Sequence, residues 1–559
     1  MIFSTPQKTK DLRDAPPLSG TPKVSLPENE RELAQRILLD YGVECGAGGT
    51  ITLSCEHENS RLMTYVEESR AVTDEKYVIR SRETKQGLSV EIVYGGRRAL
   101  YYALHEIARR IKADRLFIGE IEDYPLFSRR GYIEGFYGQP WTFPQRRDML
   151  RLMSAHRMNT YFYAPKDDEY HRDKWRELYP SDQLDSLLDI IRTAEECFVD
   201  LWFCIAPGLS MIYSSEDEFS ALMGKLKQLY GIGVRRFGLL LDDIPAQLQY
   251  PEDIERFGGE TVNAHIYLAN RVYDELKALD RAAELTVCPR QYHGRGDEYF
   301  ISKLGQGIEP DVNLFWTGRN ICSQEITVPE AMKFIDATRH RPLYWDNFPV
   351  NDAEMFNEMH LGYIQGREPE LYRYSAGLIS NCMEFCEASK IPLLTVAGYL
   401  WNPVGYDPLA SWDYALKTVV GEEFGTFKFF AEHLLTSCLH ASTSPMLNEA
   451  LSSARSALQT GNAAGAADIL REYIDNVDEC CALLRNRKGE KLYAELSRWA
   501  EKFFLCAEVL NLCYGFFCTQ DVETGRAMLQ KMEEYNRMPE TLTDFSLRET
   551  VDTLARGLQ

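Results

Sequence analysis

Eight short apolar runs lie between residues 130 and 381, and each stops in a polar or glycine-rich cluster. They cover 131–134, 160–163, 201–205, 237–241, 285–288, 313–316, 343–345 and 377–380. Runs this short suit strands buried on both faces, not helices. Helical patterns fill most of the gaps. The clearest places Leu184, Leu187, Leu188, Ile190, Ile191 and Ala194 on one face, with Ser181 as the expected N-cap. Strands that alternate with helices build a parallel sheet, and eight of them close into a (β/α)8 barrel, a TIM barrel. The reading is therefore an α/β chain with a barrel over residues 125–407. Reactive groups are expected at the C-terminal ends of its strands.

The flanks differ in character. Residues 1 to about 25 carry Pro6, Pro16, Pro17 and Pro22 among polar residues and read as a tail or irregular lead-in. Strands are predicted at 77–79 and 88–93, followed by a helix at 98–111 with Leu100, Ala103, Leu104, Ile107, Ala108 and Ile111 on one face. Asp123-Tyr124-Pro125 marks a boundary, so residues 1–124 are assigned to this tail and a small N-terminal α/β domain. Beyond about residue 408 strand signals cease. Ala/Leu/Glu-rich stretches at 446–461, 463–486 and 490–518 predict an antiparallel C-terminal helical domain over 408–559.

A chain of 559 residues, 45% hydrophobic, can fill more than one core. Its formal charge of −22 argues against nucleic acid and anionic membranes as partners. No run approaches the roughly 18 apolar residues of a membrane span, and residues 1–17 lack the apolar centre of a secretory signal. The expected compartment is the cytoplasm. The 14 cysteines include no CxxC pair, so reduced thiols are expected. The helical domain offers a surface for homo-oligomer formation.

Chemistry concentrates at the strand ends. Asp242 and Asp243 end the fourth run. Neighbouring side chains on a strand face opposite ways, so both reach one pocket only where the strand stops and the backbone turns, as Pro245 suggests. Two such carboxylates suit acid/base work on a glycosidic bond; the plainer alternative is a helix cap beside a solvated acid. Gly135, in Glu134-Gly135-Phe136-Tyr137-Gly138, lets a ligand hydroxyl approach the backbone, or serves only a tight turn. Lys166 can face sugar hydroxyls or pair with Asp167 or Asp168. Trp345 can form a sugar-facing wall, with Asn347 and Asp352 giving directed hydrogen bonds. Tyr292, Thr317 and Asn381 follow the fifth, sixth and eighth runs. Packing or capping is the alternative for each. A metal site built from Asp167, Asp168, Asp242, Asp243, His293 and Asp346 is a rival arrangement, although HxH and HExxH spacings are absent.

Taken together, the stretches 130–141, 159–168, 241–244, 316–318 and 345–347 resemble glycoside hydrolase family 84, the β-N-acetylglucosaminidases that include O-GlcNAc hydrolases. The resemblance spans the barrel and implies retaining, substrate-assisted hydrolysis of terminal β-linked GlcNAc. In that scheme the substrate's 2-acetamido oxygen attacks the anomeric carbon and forms an oxazoline. By motif position, Asp242 would orient the acetamido N–H, and Asp243 would protonate the leaving oxygen and then activate water. Tyr292 would bond near the acetamido oxygen. Gly135, Lys166, Asn347, Asp352 and Asn381 would hold the sugar, and Trp345 and Thr317 would line the acetyl pocket. The resemblance implies no cofactor and no metal, and a carbohydrate or glycoprotein substrate. Arg290-Gln291 before Tyr292, and Cys382 after Asn381, depart from the family pattern and bear on leaving-group preference. The alternatives are a glycan-binding module with a non-catalytic barrel, a hyaluronidase-like activity on longer chains, and a metal-dependent barrel hydrolase.

Overall fold

The computed structural model describes residues 3–17, 21–58, 65–66, 70–71, 74–441, 444–542 and 545–555. Its centre is a closed parallel barrel of eight strands: β1 (Arg130–Ile133), β2 (Thr160–Tyr163), β3 (Asp200–Ile205), β4 (Arg236–Leu240), β5 (Glu284–Cys288), β6 (Asn313–Trp316), β7 (Pro342–Asp346) and β8 (Gly377–Asn381). β8 pairs back onto β1, with Ile133 opposite Asn381. The expected runs and the observed strands agree to within one residue at every end. They were readable because these strands are buried almost throughout. The barrel interior is filled by Ile133, Phe162, Trp202, Cys204, Leu240, Phe315, Leu343 and Ile379, so it is a packed core and not a pore.

One helix start departs from expectation. The helix after β2 spans Ser181–Glu196, but its cap is Pro180, and no side chain caps it. Ser181 is already inside the helix. The preceding proline holds an extended backbone (φ −67°, ψ 157°), which moves the boundary back by one residue.

The N-terminal unit is a seven-stranded mixed sheet. Its order is Lys8–Asp14, Phe117–Asp123, Tyr77–Thr84, Gly87–Tyr94, Ile51–His57, Lys23–Ser25 and Glu44–Cys45. The helix Arg97–Lys112 lies as expected, and a further helix spans Arg31–Asp40. The proline-containing lead-in is therefore more than a tail. Residues 8–14 form an edge strand antiparallel to Phe117–Asp123, and 23–25 pair inside the sheet. Every residue of 8–14 is exposed, so the strand has no apolar alternation to betray it.

This sheet meets the barrel at the end opposite the strand C-termini. The buried Arg157, which lies between β1 and β2, bonds Asp123 (2.9 Å) and Glu106 (3.0 Å). Its guanidinium stacks over the Trp401 ring at 4.6 Å, while Trp401 Nε1 donates to Asp123 (3.0 Å). Arg130, the first residue of β1, pairs with Glu75. These are buried charges with partners, as burial requires.

The C-terminal region is helical, with Pro445–Gln459, Ala463–Asn486, Ser497–Thr519, Val522–Arg537 and Phe545–Ala555 packed together. The stretch expected at 490–518 is two helices, broken at Leu496. A second correction concerns Ser497–Thr519, which is long and apolar enough, by length and composition, to cross a membrane. Here it lies inside the bundle with Trp499, Phe503, Cys506, Val509 and Leu510 buried. Its buried face accounts for much of its apolar character, while Arg498, Glu501 and Glu508 remain exposed.

Candidate active site

All ten residues singled out at the strand ends line one cavity of about 440 Å³ at the C-terminal mouth of the barrel. They are Gly135, Lys166, Asp242, Asp243, Tyr292, Thr317, Trp345, Asn347, Asp352 and Asn381. Phe315, Ile321, Cys322 and Val350 complete the apolar wall.

The aspartate pair is presented as the strand argument requires. β4 ends at Leu240, and Leu241 makes one more ladder bond, to Cys288 O (2.8 Å). Asp243 then takes a left-handed backbone (φ 50°), which breaks strand alternation and allows both carboxylates into the cavity. Such a conformation is uncommon outside glycine, and Asp tolerates it better than most residues.

The two aspartates have different partners. Lys166 Nζ donates to Asp242 Oδ2 (3.2 Å), with both side chains more than nine-tenths buried. Burial pulls the Lys166 ammonium down, but Asp242, with help from Asp243, outweighs it and holds the ammonium above its ordinary range. The alternative pairing of Lys166 with Asp167 or Asp168 does not form. Asp168 instead accepts from Tyr163 and Tyr179 (2.8 and 2.7 Å), and both acids line a neighbouring cavity. Asp242 Oδ1 is buried without a hydrogen-bond partner. A buried carboxylate oxygen left unpaired is an acceptor awaiting a donor.

Asp243 is tethered at its other side. Tyr137 Oη donates to Asp243 Oδ2 (2.8 Å), and Tyr292 Oη donates to Oδ1 (3.2 Å). Burial pushes the Tyr292 hydroxyl far above the usual phenol range, and both aspartates add to the effect. Tyr292 therefore keeps its proton throughout the neutral range. Arg172 Nη1 in turn donates to Tyr137 Oη (3.2 Å). Tyr137 lies within the 130–141 motif, beside Gly135, but carries no pattern of its own; Arg172 has no sequence signal at all, being a loop residue remote from any strand end.

The opposite wall is a rigid amide cluster. Asn347 Oδ1 accepts from Trp345 Nε1 (3.0 Å) and Asn381 Nδ2 (2.9 Å), and Asn347 Nδ2 donates to Ile321 O (2.9 Å). Asn381 Oδ1 accepts from the Gly135 backbone N–H (3.1 Å). A Cβ on Gly135 would lie 2.3 Å from Trp345 Cζ2, so only glycine fits beneath that ring. Thr317 Oγ1 donates to Asn320 O (2.8 Å), so its hydroxyl proton is committed within its own loop. Asp352 Oδ2 accepts from Tyr137 N (2.8 Å), and burial raises its carboxyl above the ordinary range. After Asp352 the chain turns through Ala353 (φ 51°), bringing Ala353, Glu354 and Met355 to the rim, positions that no pattern indicated.

The rival metal set is dispersed. Asp346 points away from the cavity and forms a buried ion pair with Arg367, with Arg367 Nε donating at 2.8 Å. His293 packs edge-on against Tyr292, with ring centroids 5.4 Å apart. Among the described residues no cluster of three or more His, Cys, Asp or Glu side chains could hold a metal ion.

A closed (β/α)8 barrel with paired aspartates, amides and an aromatic wall at its mouth defines a barrel of the glycoside hydrolase class. Within that class the chain belongs to the β-N-acetylglucosaminidase family, whose model matches residues 130–432. It is 32% identical over 273 residues to the protein O-GlcNAcases of Rattus norvegicus and Mus musculus, a match covering 48% of this chain. The chain spans only 29% of the length of those relatives. Among solved structures, a mutant O-GlcNAc hydrolase of Thermobaculum terrenum is 31% identical with a TM-score of 0.72, covering 77% of this chain and 95% of that one. CpGH84B is 25% identical with a TM-score of 0.82, covering 99% of this chain and all of that one. The neighbours share the fold of barrel, N-terminal α/β sheet and helical region.

Proposed function

We propose that the protein is a retaining exo-acting β-N-acetylglucosaminidase that removes terminal β-linked GlcNAc by substrate-assisted catalysis. The unpaired, buried Oδ1 of Asp242 carries this reading. An ionised Asp242, fixed on one oxygen by Lys166, offers the other to the N–H of a 2-acetamido group. That contact turns the acetamido oxygen toward the anomeric carbon and stabilises the positive charge that builds on the nitrogen as the oxazoline closes. The C–O bond to the leaving group breaks as the new C–O bond forms. Asp243, reaching the same cavity from the next residue, gives its proton to the departing oxygen and then takes one from the water that opens the oxazoline. Tyr137 and Tyr292 hold that carboxyl in place.

The sugar would rest on the Gly135 backbone, against Trp345, with Asn347, Asp352 and Asn381 at its hydroxyls. Ile321, Cys322 and Val350 supply apolar surface suited to an acetyl methyl group. The family match and the O-GlcNAcase relatives support a GlcNAc glycoside, including glycoprotein-linked GlcNAc, as substrate. The test is hydrolysis of an aryl N-acetyl-β-glucosaminide beside the matching aryl β-glucoside, with chelator present. Turnover of the first alone is expected. Equal turnover of both would mean that a protein nucleophile acts and would overturn the role given to Asp242.

A further inference from the structure

Two cysteines meet behind the rigid wall of the cavity. Cys322 lies in the loop after β6 and lines the cavity itself. Cys438 comes from the segment that follows the last barrel helices, 116 positions further along the chain. Asn347 touches both segments, since its Nδ2 donates to Ile321 O (2.9 Å) and its backbone carbonyl accepts from Cys438 Sγ (3.9 Å). Arg367 clamps the same loop by donating to Ser323 O (3.1 Å) and Gln324 O (2.9 Å), and its charge acts on Cys438. The two thiols lie close enough for each to act on the other's proton. Cys438 Sγ gives its proton to the Asn347 carbonyl, and the Cys438 thiol beside it holds Cys322 below the usual thiol range, so Cys322 is the readier thiolate. Both residues are partly open to solvent, whereas most of the other cysteines are buried. None of the 14 is in a disulfide.

We propose that Cys322 and Cys438 form a peroxide-sensitive dithiol whose oxidation cross-links the wall of the sugar cavity and reversibly lowers hydrolysis. The Cys322 thiol ionises and its thiolate attacks one oxygen of hydrogen peroxide; an S–O bond forms, the O–O bond breaks, and the departing hydroxide takes up the proton that Cys322 released and leaves as water. Cys438 sulfur then attacks the sulfenic sulfur, forming the S–S bond as the S–O bond breaks, and its thiol proton leaves with the hydroxide as a second water. Two thiols are oxidised and one peroxide is reduced to two waters. The new bond ties the loop after β6 to the segment at 438, and Asn347 stands between them. Asn347 anchors Trp345 and Asn381, so the cross-link displaces groups that line the cavity.

The cross-link itself is independent of the function proposed above; its effect on hydrolysis rests on that reading. The test treats the full chain with stoichiometric hydrogen peroxide, maps disulfides by mass spectrometry of protease fragments, and follows kcat/KM on an aryl N-acetyl-β-glucosaminide before and after dithiothreitol. The expected result is a Cys322–Cys438 linked peptide, a fall in kcat/KM of about tenfold or more, and recovery on reduction. In Cys322→Ser and Cys438→Ser, each compared with its own untreated form, the reversible fall should vanish. Three outcomes would overturn the proposal: no such linked peptide, a linked peptide with unchanged kcat/KM, or the same reversible fall in both variants. If the untreated enzyme shows no glycosidase turnover, the function is refuted, and the mapped disulfide alone then decides the cross-link.

Discussion

Gly135→Ala tests the geometry of the cavity most directly. The added methyl would lie 2.3 Å from Trp345 Cζ2 and 2.8 Å from Cη2. Carbon atoms settle at about 3.5–4.0 Å, so the indole or the β1 end must yield by more than about 1 Å. Trp345 has little freedom to do so, because its Nε1 is bonded to Asn347 and its ring packs edge-on against Phe315 with centroids 5.2 Å apart. The Gly135 N–H also bonds Asn381, so a shift of β1 loosens that contact as well. Overpacking of this kind costs about 1–3 kcal/mol in stability, and a displacement of about 1 Å near the reacting groups costs roughly a hundredfold in rate. The assay is kcat/KM on an aryl N-acetyl-β-glucosaminide together with a thermal melt. Gly224→Ala serves as control, since a Cβ there meets nothing within 4 Å on the helix Glu216–Gly231. A Gly135→Ala enzyme with full kcat/KM would refute the claim that the Gly135–Trp345 contact shapes the sugar site.

Asp242→Ala should depress turnover on every substrate, because it disables the internal nucleophile, while Asp243→Ala should cost least on aryl glycosides with very acidic leaving groups. A flat leaving-group series for Asp243→Ala would overturn its assignment as the acid. Lys166→Met strips Asp242 of its buried cation and should lower kcat/KM by roughly a hundredfold or more; unchanged kinetics would remove Lys166 from the site. Burial raises the Glu432 and Glu495 carboxyls from 4.5 to about 7 each. The folded state therefore binds protons that the unfolded state releases. This contribution is complete below pH 4.5 and is lost as the pH rises through about 7. The melting temperature should fall across that window, and Glu432→Gln should flatten the fall; a melting temperature rising from pH 5 to 8 with no change in the variant would refute it.

What the sequence made legible follows from burial. The eight barrel strands are apolar from end to end and bounded by polar clusters, so their ends could be placed closely. Strand parity also sorts β7 correctly once its register is known. Trp345 faces the cavity, and Asn347 just past the strand end does the same, while Asp346 between them turns outward to Arg367. Without that register Asp346 looked as eligible as its neighbours. The edge strand Lys8–Asp14 was invisible because nothing in it is buried. Arg172, and the rim formed by Ala353, Glu354 and Met355, depend on where long loops fold back, and local pattern carries no record of that. Pro180 displaced the helix start expected at Ser181, a boundary shift that composition alone does not weigh.

The two sides of the cavity are built differently, and the difference bears on selectivity. On the side assigned to the sugar, one amide, Asn347, joins the ends of β7 and β8 to the loop after β6 through three hydrogen bonds. A shift in any one of these elements is resisted by the others, so that wall is preorganised. On the side assigned to the leaving group, Asp243 is held by two tyrosine hydroxyls, and Tyr137 is 42% exposed. Its second partner, Arg172, reaches it from a loop. In the proposed reading that wall holds the sugar hydroxyls in place, while Asp242 discriminates for the 2-acetamido group. The face assigned to the aglycone is lined by side chains able to adjust, and tolerance for different leaving groups is expected there.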